Sequence, residues 1–296
     1  MLDKQKTVIA LGCFDSVHLG HQKVIKTAKK YADENGLTLT VFTFSGNLKA
    51  IIGSNDEQNV YLTEEREKLL KSLGVNDIYF APSTKEFLST DKKDFLDHLN
   101  QKYNIACYFS GEDYTFGAFG KGDVCYLSAY AKEHNQKHMV VKTLNMFDQK
   151  ISTTLIKKHL KDGQIDKVNL LLGRNFSVCG TVFKDRQVGK SLGFPTANIK
   201  LDKDKICVKT GVYVGKTKVD VKEYLSIINC GARPTFNLNE SVIESHLIDF
   251  NGNLYGKKIE VYFLSYLRDI KKFESQDKLK EQLSFDIIKA KERKYD

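Results

Sequence analysis

The chain has 296 residues and a formal net charge of +9, with 41% hydrophobic and 28% charged residues. Its length predicts about two domains, each with its own hydrophobic core, and its composition is ordinary for a globular protein. No apolar run approaches the roughly 20 residues that cross a bilayer, and residues 1–6 lack the apolar segment of a signal peptide. We therefore expect a cytoplasmic protein with no membrane partner.

The cysteines and the basic charge each exclude a class of protein. The six cysteines are widely spaced and form no C-x-x-C pair, which predicts reduced cytosolic thiols rather than disulfides or a zinc site. The lysines are spread along helix faces rather than gathered in one block. This distribution argues against a nucleic-acid partner and suits an enzyme whose ligands are phosphorylated anions.

A strand, a tight turn and a helix open the first half of the chain. Residues 8–11 form a continuous apolar run, typical of a strand buried on both faces, and residues 22–35 have the period of an amphipathic helix. His18, Gly20 and His21 lie between them. Backbone N–H groups at a helix N-terminus attract anions, two imidazoles add donors, and glycine allows close approach. This segment therefore predicts a phosphate site.

The rest of the first half alternates strands with helices. Strands are predicted at 37–44, 75–80, 105–109 and 139–141, and helices at 62–73, with Thr63 as its N-cap, and at 91–103. This alternation predicts a parallel, doubly wound sheet, in which ligands bind beyond the carboxyl ends of the strands. The loops after the first and fourth strands should therefore meet. The second of these loops, 110–123, combines four glycines with aromatic residues, which favours a ligand-binding loop.

Two further patterns in this half carry less information. His134 and His138 stand four residues apart, a spacing that can bind metal on a helix, but their polar surroundings predict a solvated turn and no zinc. Residues 151–160 predict a helix that Ser152 caps.

The second half has a different pattern, with short strands separated by Gly, Asn and Asp turns. Strands are predicted at 176–183, 211–216, 224–229, 242–249 and 258–263, and a closing helix at 275–294. This arrangement predicts an antiparallel barrel. Residues 189–191, Gly-Lys-Ser, match the end of a P-loop, but residue 184 is Lys where the motif needs Gly, and no helix follows. We therefore reject a P-loop.

Two segments of this half carry candidate chemistry. Pro195 stiffens the backbone before Thr196, and Thr196 and Asn198 project from one side of an extended segment. A hydroxyl and an amide oxygen are suitable ligands for Mg²⁺ that also carries phosphate oxygens. Glu244 and His246 alternate on one face of a predicted strand. A carboxylate on a barrel face is, without further context, a salt-bridged surface residue.

These segments resemble the motifs of a known family. Residues 12–21, GCFDSVHLGH, resemble the HxGH signature of nucleotidyltransferases, and Phe14, Asp15 and Val17 make the segment most similar to the FMN adenylyltransferase half of bacterial bifunctional riboflavin kinase/FAD synthetases. Residues 193–198, GFPTAN, resemble the Pro-Thr-Ala-Asn motif of riboflavin kinases. The resemblance implies a Rossmann-like nucleotidyltransferase domain over 1–166 and a riboflavin kinase barrel with a closing helix over 167–296.

The resemblance also implies two reactions: phosphorylation of riboflavin to FMN by ATP, and adenylylation of FMN to FAD with release of pyrophosphate. It implies Mg²⁺ as cofactor and only small-molecule partners, namely riboflavin, FMN and ATP. In this family pattern His18 and His21 stabilise phosphate charge, Glu244 is the general base, and Thr196 and Asn198 hold Mg²⁺. ATP or flavin binding is assigned by the resemblance to Gly12, Phe14, Asp15, Gly20, Asp113, Phe116, Gly117, Ser152, Thr153, Thr154, Lys157, Gly189, Gly193, Pro195, Asn229, Arg233 and Arg268.

The kinase motifs are intact, whereas the adenylyltransferase motifs depart from the family pattern. The family has Pro-His-Pro where this chain has residues 45–47, Ser-Gly-Asn, and Lys157 replaces an arginine that makes bidentate phosphate contacts. Cys13, Ser16 and Thr153 also depart. Two alternatives stay open: an enzyme that works only as a kinase, with a degenerate first domain, and an RNA-binding regulator built on the same scaffold.

Overall fold

The structure is a computed structural model that describes residues 5–46, 51, 53, 58–184, 193–233 and 240–292. Its backbone contacts divide the chain into two compact units, Met1–Thr153 and Thr154–Asp296. The division falls thirteen residues before the predicted boundary between 1–166 and 167–296. Among the described residues, no helix is both long and apolar enough to cross a membrane.

The first unit is built on the predicted parallel sheet, with strand order β3-β2-β1-β4-β5. Its strands are β1 Lys6–Leu11, β2 Thr38–Phe44, β3 Asp77–Ala81, β4 Asn104–Gly111 and β5 Lys137–Val141, followed by the hairpin of β6 Asn145–Met146 and β7 Gln149–Lys150. Its helices are α1 Leu19–Glu34, α2 Thr63–Ser72, α3 Lys85–Leu88, α4 Lys92–Lys102 and α5 Val124–Glu133.

Two hydrophobic cores cover the two faces of this sheet. Val8 and Ala10 of β1 pack in one core with the apolar face of α1, whereas Ile9 and Leu11 pack in the other core with α4 and α5. Successive residues of a strand point to opposite faces, so a strand that is buried on both faces must be apolar throughout. The continuous apolar run of β1 is therefore explained by burial on both sides of the sheet.

Two details of the first unit differ from the sequence prediction. Helix α1 begins three residues earlier than predicted, because the side chain of His18 caps it. Thr63 is not the N-cap of α2 but its first residue, and the Glu65 carboxylate accepts the hydrogen bond of the Leu62 backbone N–H at 2.7 Å. A glutamate that reaches back to the N-cap N–H satisfies one of the unpaired donors at a helix start.

The second unit forms the predicted antiparallel barrel, which is closed in the order β10-β11-β12-β9-β8-β13. Its strands are β8 Phe176–Phe183, β9 Ala197–Lys200, β10 Gly211–Val219, β11 Lys222–Arg233, β12 Glu240–Leu247 and β13 Lys258–Arg268. Its helices are α6 Thr153–Lys161, whose first residue belongs to the other unit, α7 Ile165–Leu172 and α8 Gln276–Glu292. The sequence prediction missed β9, because a four-residue strand shows no measurable alternation.

Side chains fill the inside of this barrel. Thr217 of β10, Ser226 of β11 and Ser245 of β12 are fully buried, and the Thr217 hydroxyl lies 2.7 Å from that of Ser245 and 2.9 Å from that of Ser226. Since β10 and β12 are not paired with each other, Thr217 and Ser245 meet across the barrel interior. Residues next to Ser245 along β12 therefore point to the outer surface.

Two candidate active sites

The turn after β1 has an unusual backbone. Phe14 and Val17 both have φ of +44° and are 1% exposed. A β-branched residue with positive φ is strained, and such strain persists only where surrounding contacts hold it. One contact is the Asp15 carboxylate, which accepts hydrogen bonds from the backbone N–H groups of Val60 at 2.9 Å and Tyr61 at 3.4 Å. The turn is thus fixed before a ligand arrives.

This turn delivers two histidines to the start of α1. The Nδ1 atom of His18 accepts a hydrogen bond from the His21 backbone N–H at 3.1 Å, so that a neutral His18 carries its proton on Nε2. The two imidazole rings stack with centroids 3.6 Å apart, and Phe14 packs edge-on against His21 at 5.2 Å. The structure therefore brings both predicted histidines together at a helix N-terminus, where anions bind favourably.

Two glycines in this segment leave room that a side chain would fill. A Cβ at Gly20 would lie 3.0 Å from Cε1 of His18, and one at Gly12 would lie 2.8 Å from Cζ of Phe14. Any larger residue would push the rings of His18 and Phe14 out of place. Both positions therefore need glycine for the rings to keep these places, whereas the predicted close approach of a ligand at Gly20 stays a prediction.

Thr153, in the hydroxyl-rich segment at the start of α6, contacts this turn. The Thr153 hydroxyl lies 3.0 Å from that of Ser16, a residue of the turn that is fully buried. Ser152 precedes α6, whereas Thr154 and Lys157 belong to the second unit, and Lys157 is 3% exposed. A contact of these three residues with phosphate stays a prediction.

The loop after β4 is ordered by its aromatic residues. Phe116 is 6% exposed and packs against Phe95 and Tyr114 at centroid distances of 5.4 and 5.6 Å. Gly117 has φ of +70°, and a Cβ there would lie 2.7 Å from Cα of Lys92. Burial is the main cause that raises the pKa of Tyr114.

The acidic residues of this loop have partners within the protein. The Asp113 carboxylate forms an ion pair with Lys150 of β7, and the Glu112 carboxylate accepts hydrogen bonds from the Thr143 hydroxyl and N–H at 2.5 and 3.2 Å. Asp113 is thus occupied in this structure, and its contact with ligand stays a prediction. Lys150 and Thr143 lie more than thirty residues along the chain, so no local pattern indicates these pairs.

The prediction of a solvated turn for His134 and His138 is wrong for His138. His134 ends α5, but His138 lies in β5, where its ring nitrogens lie 2.9 Å from the Ser110 hydroxyl and 2.8 Å from the Ser128 hydroxyl. Burial lowers the pKa of His138 to about 4. Within the described part of the chain, no group of three or more His, Cys, Asp or Glu could hold a metal ion.

The second candidate site is a row of three side chains on the outer surface of the barrel. Glu244 of β12 lies directly opposite Asn229 of β11 on one side and Asn198 of β9 on the other. Directly opposed residues of antiparallel strands point to the same face, with Cβ atoms about 4.5–5.5 Å apart. Strand pairing therefore gathers three predicted site residues that are far apart in sequence.

The two asparagines in this row have unused acceptors. The Oδ1 atoms of Asn198 and Asn229 are buried, and neither has a hydrogen-bond partner among the described residues. A buried polar atom without a partner is costly, so each such atom in a native protein needs an explanation. Two amide oxygens that flank a carboxylate are the hard donors that Mg²⁺ prefers. The row therefore fits a magnesium ion.

His246 fixes the segment that leads to this row. Its Nδ1 donates a hydrogen bond to the Pro195 carbonyl oxygen at 2.9 Å, and its ring packs edge-on against Phe194 at 5.5 Å. Thr196 comes directly before β9, and extended backbone there would direct it to the same side as Asn198. His246 thus positions the Pro-Thr-Ala-Asn segment against β12, a role that the alternation with Glu244 did not indicate.

Arg268 is engaged with helix α8. Its guanidinium donates to both oxygens of the Asp286 carboxylate at 2.7–3.1 Å, and Gln282 donates to the same carboxylate at 2.9 Å. Asp286 is 1% exposed, so this bidentate pair holds α8 to the end of β13. Contact of Arg268 with a ligand stays a prediction.

A cavity of about 330 Å³ lies against the same helix, lined in part by Phe273 and Phe285. Its volume falls within the roughly 300–1,000 Å³ of small-molecule sites. Neither aromatic residue was identified from the sequence, although the half-exposed Phe285 interrupts the charged face of α8.

The remaining predicted residues of this site are not all described. Gly193 is exposed and has φ of +86°. Gly189 lies outside the described residues. Arg233 ends β11, but its side chain is not described.

Comparison with known proteins matches both units. A family model for FAD synthetase matches residues 1–155, and one for riboflavin kinase matches residues 172–294. The bifunctional riboflavin kinase/FMN adenylyltransferase of Bacillus subtilis is 35% identical over 97% of this chain and 92% of its own length. Its counterpart in Escherichia coli K12 is 29% identical over 96% of this chain and 92% of its own length.

A solved structure resembles the whole chain. The crystal structure of a macrolide-efflux protein from Streptococcus pneumoniae has a TM-score of 0.90 and 29% sequence identity. The match covers 99% of this chain and 97% of that one.

Proposed function

The chain belongs to the family of bifunctional riboflavin kinase/FMN adenylyltransferases, enzymes of FAD biosynthesis, and we propose that its two candidate sites divide the two reactions between them. The site after β1 adenylylates FMN, and the row on the barrel phosphorylates riboflavin. The observation that carries this assignment is the row of Asn198, Glu244 and Asn229, because it combines a carboxylate base with two unused oxygen ligands.

On the barrel, the 5′-hydroxyl of riboflavin attacks the γ-phosphorus of ATP, and ADP leaves. Glu244 accepts the proton of this hydroxyl as the new P–O bond forms. Asn198 and Thr196, with Asn229 on the other side of Glu244, would hold Mg²⁺, which supplies positive charge to the transferred phosphoryl group. Phe273 and Phe285 offer apolar ring faces for the flavin.

At the turn after β1, a phosphate oxygen of FMN attacks the α-phosphorus of ATP, and pyrophosphate leaves. The Nε2–H of His18, the ring of His21 and the N-terminus of α1 lie at the same end of this helix and would stabilise the negative charge that develops there. No protein nucleophile is needed. The stacked rings are held by the turn, so little reorganisation accompanies the reaction.

Incubation of the full chain with riboflavin, ATP and Mg²⁺, followed by chromatography of the flavins, tests this function. We expect FMN first and FAD afterwards. FMN without FAD would leave an enzyme that works only as a kinase. No turnover, together with a steeply salt-dependent affinity for RNA, would replace both activities with a regulatory function.

The magnesium assignment predicts a defect confined to the kinase reaction. We expect Asn198→Ala to lower FMN formation by about 10²-fold, because the ion loses a ligand that was already in place. Calorimetric titration of Mg²⁺ in the presence of ADP should show weakened metal binding, which is a readout independent of turnover. Lys200→Ala, an exposed change on the same strand, is the matched control. Unchanged Mg²⁺ affinity in Asn198→Ala would exclude this residue as a ligand.

A further inference from the structure

A buried charged side chain lies beneath the turn that carries His18 and His21. Arg66 of α2 is 2% exposed. Its guanidinium donates to the Phe44 carbonyl oxygen at 2.8 Å and lies 3.4 Å from the Cys13 carbonyl oxygen. It also lies 3.3 Å from the hydroxyl of Thr63. The sequence surrounding Arg66, TEEREK, indicates a solvated helix face and gave no sign of this burial.

The two carbonyl groups that Arg66 contacts lie at the edge of the sheet where ligands bind. Cys13 follows β1 and Phe44 ends β2, and the two strands are parallel neighbours. Carbonyl groups at this edge would repel an anionic ligand unless donors occupy them. Arg66 donates hydrogen bonds to both carbonyl groups, and the Thr43 hydroxyl donates a further hydrogen bond of 2.6 Å to the Cys13 carbonyl.

The charge of Arg66 is balanced within the same turn. Burial lowers the pKa of Arg66, while the carboxylate of Asp15 opposes this change. The Asp15 carboxylate in turn accepts hydrogen bonds from the backbone N–H groups of Val60 and Tyr61, which lie shortly before α2. Arg66 of α2 thus donates to a carbonyl group of the turn, and Asp15 of the turn accepts from the segment before α2. A buried charge that is removed from such an arrangement leaves its partners unpaired.

We propose that Arg66 is a positioning residue of the adenylyltransferase site, which holds the carbonyl groups of Cys13 and Phe44 and thereby fixes the turn that places His18 and His21. This inference rests on the proposed function of the first unit.

Three variants of the full chain test the inference. Arg66→Gln removes the charge. Arg66→Lys keeps the charge but loses the planar guanidinium group that donates to two carbonyl groups. Lys68→Gln removes an exposed charge from the same helix and is the control. We expect Arg66→Gln to lower kcat for FAD formation from FMN by about 10²-fold, as a small displacement of catalytic groups does. Arg66→Lys should recover part of this loss. FMN formation from riboflavin should be unchanged in all three.

Proton NMR of the histidine rings supplies a readout that lost stability alone would not change. Stacking shifts the ring protons of His18 and His21, so these signals should move in folded Arg66→Gln and stay in place in Lys68→Gln. Folded Arg66→Gln with wild-type kcat and ring signals would overturn the inference. If Arg66→Gln does not fold, Arg66→Lys decides: a lowered kcat supports positioning, whereas wild-type kcat or loss of folding assigns Arg66 a purely structural role. Absence of FAD formation in the wild type would instead reject the proposed function.

Discussion

Glu244→Gln is expected to abolish the conversion of riboflavin to FMN while FAD still forms from added FMN. The substitution keeps the size of the side chain and its place between Asn229 and Asn198, but the amide cannot accept the proton of the flavin hydroxyl. Loss of a general base costs about 10²- to 10⁴-fold in rate. Chromatography of the flavins, with riboflavin or FMN as the starting substrate, measures both reactions in one preparation.

The matched control for this variant is Glu223→Gln. Glu223 is an exposed carboxylate in β11 that lies 3.8 Å from the Lys216 ammonium group, and surface pairs of this kind contribute little to stability. Both reactions should proceed normally in the control. Simultaneous loss of both reactions in Glu244→Gln would contradict the assignment of the reactions to separate sites.

His21→Ala is expected to have the opposite selectivity. Loss of one donor from a preorganised anion site lowers the rate by about 10²- to 10³-fold, so FAD formation from FMN should fall by this amount while riboflavin phosphorylation continues. His21 is a better target than His18, because the His18 side chain also caps α1 and its removal would weaken the helix. Rates with each flavin, measured at saturating ATP, separate the two reactions.

His98→Ala is the corresponding control, since His98 is an exposed histidine of α4 whose ring is hydrogen-bonded to the Tyr79 hydroxyl. It should leave FAD formation intact. A His21→Ala variant that makes FAD at the wild-type rate would remove the paired imidazoles from the mechanism.

The sequence predicted the features that depend on local pattern. The apolar run of β1, the periodic face of α1 and five of the six barrel strands were found at the predicted places, although several of their ends differ, because burial imposes their periodicity directly. The turn after β1 could also be identified, since its glycines and histidines occur within ten residues. The start of α1 was misplaced only because His18 acts as both cap and candidate ligand.

Features that depend on pairing between distant segments could not be predicted in the same way. The alignment of Asn229, Glu244 and Asn198 follows from the register of three strands, and a shift of one residue would turn Glu244 into the barrel. The pair of Asp113 and Lys150 and the buried contacts of Arg66 likewise join segments that no motif connects. Sequence patterns identify the residue types of a site, whereas tertiary contacts decide which of them are available.

The filled interior of the barrel bears on how this enzyme can change during evolution. Thr217, Ser226 and Ser245 occupy the interior, so the proposed kinase site lies on the outer wall of the barrel, where Glu244 lies between Asn229 and Asn198. Loops and an appended helix can vary in length or sequence without opening the closed ring of strands. Preference for a modified flavin could therefore be acquired through changes in these loops and the appended helix alone, while the barrel that carries Glu244 keeps its stability.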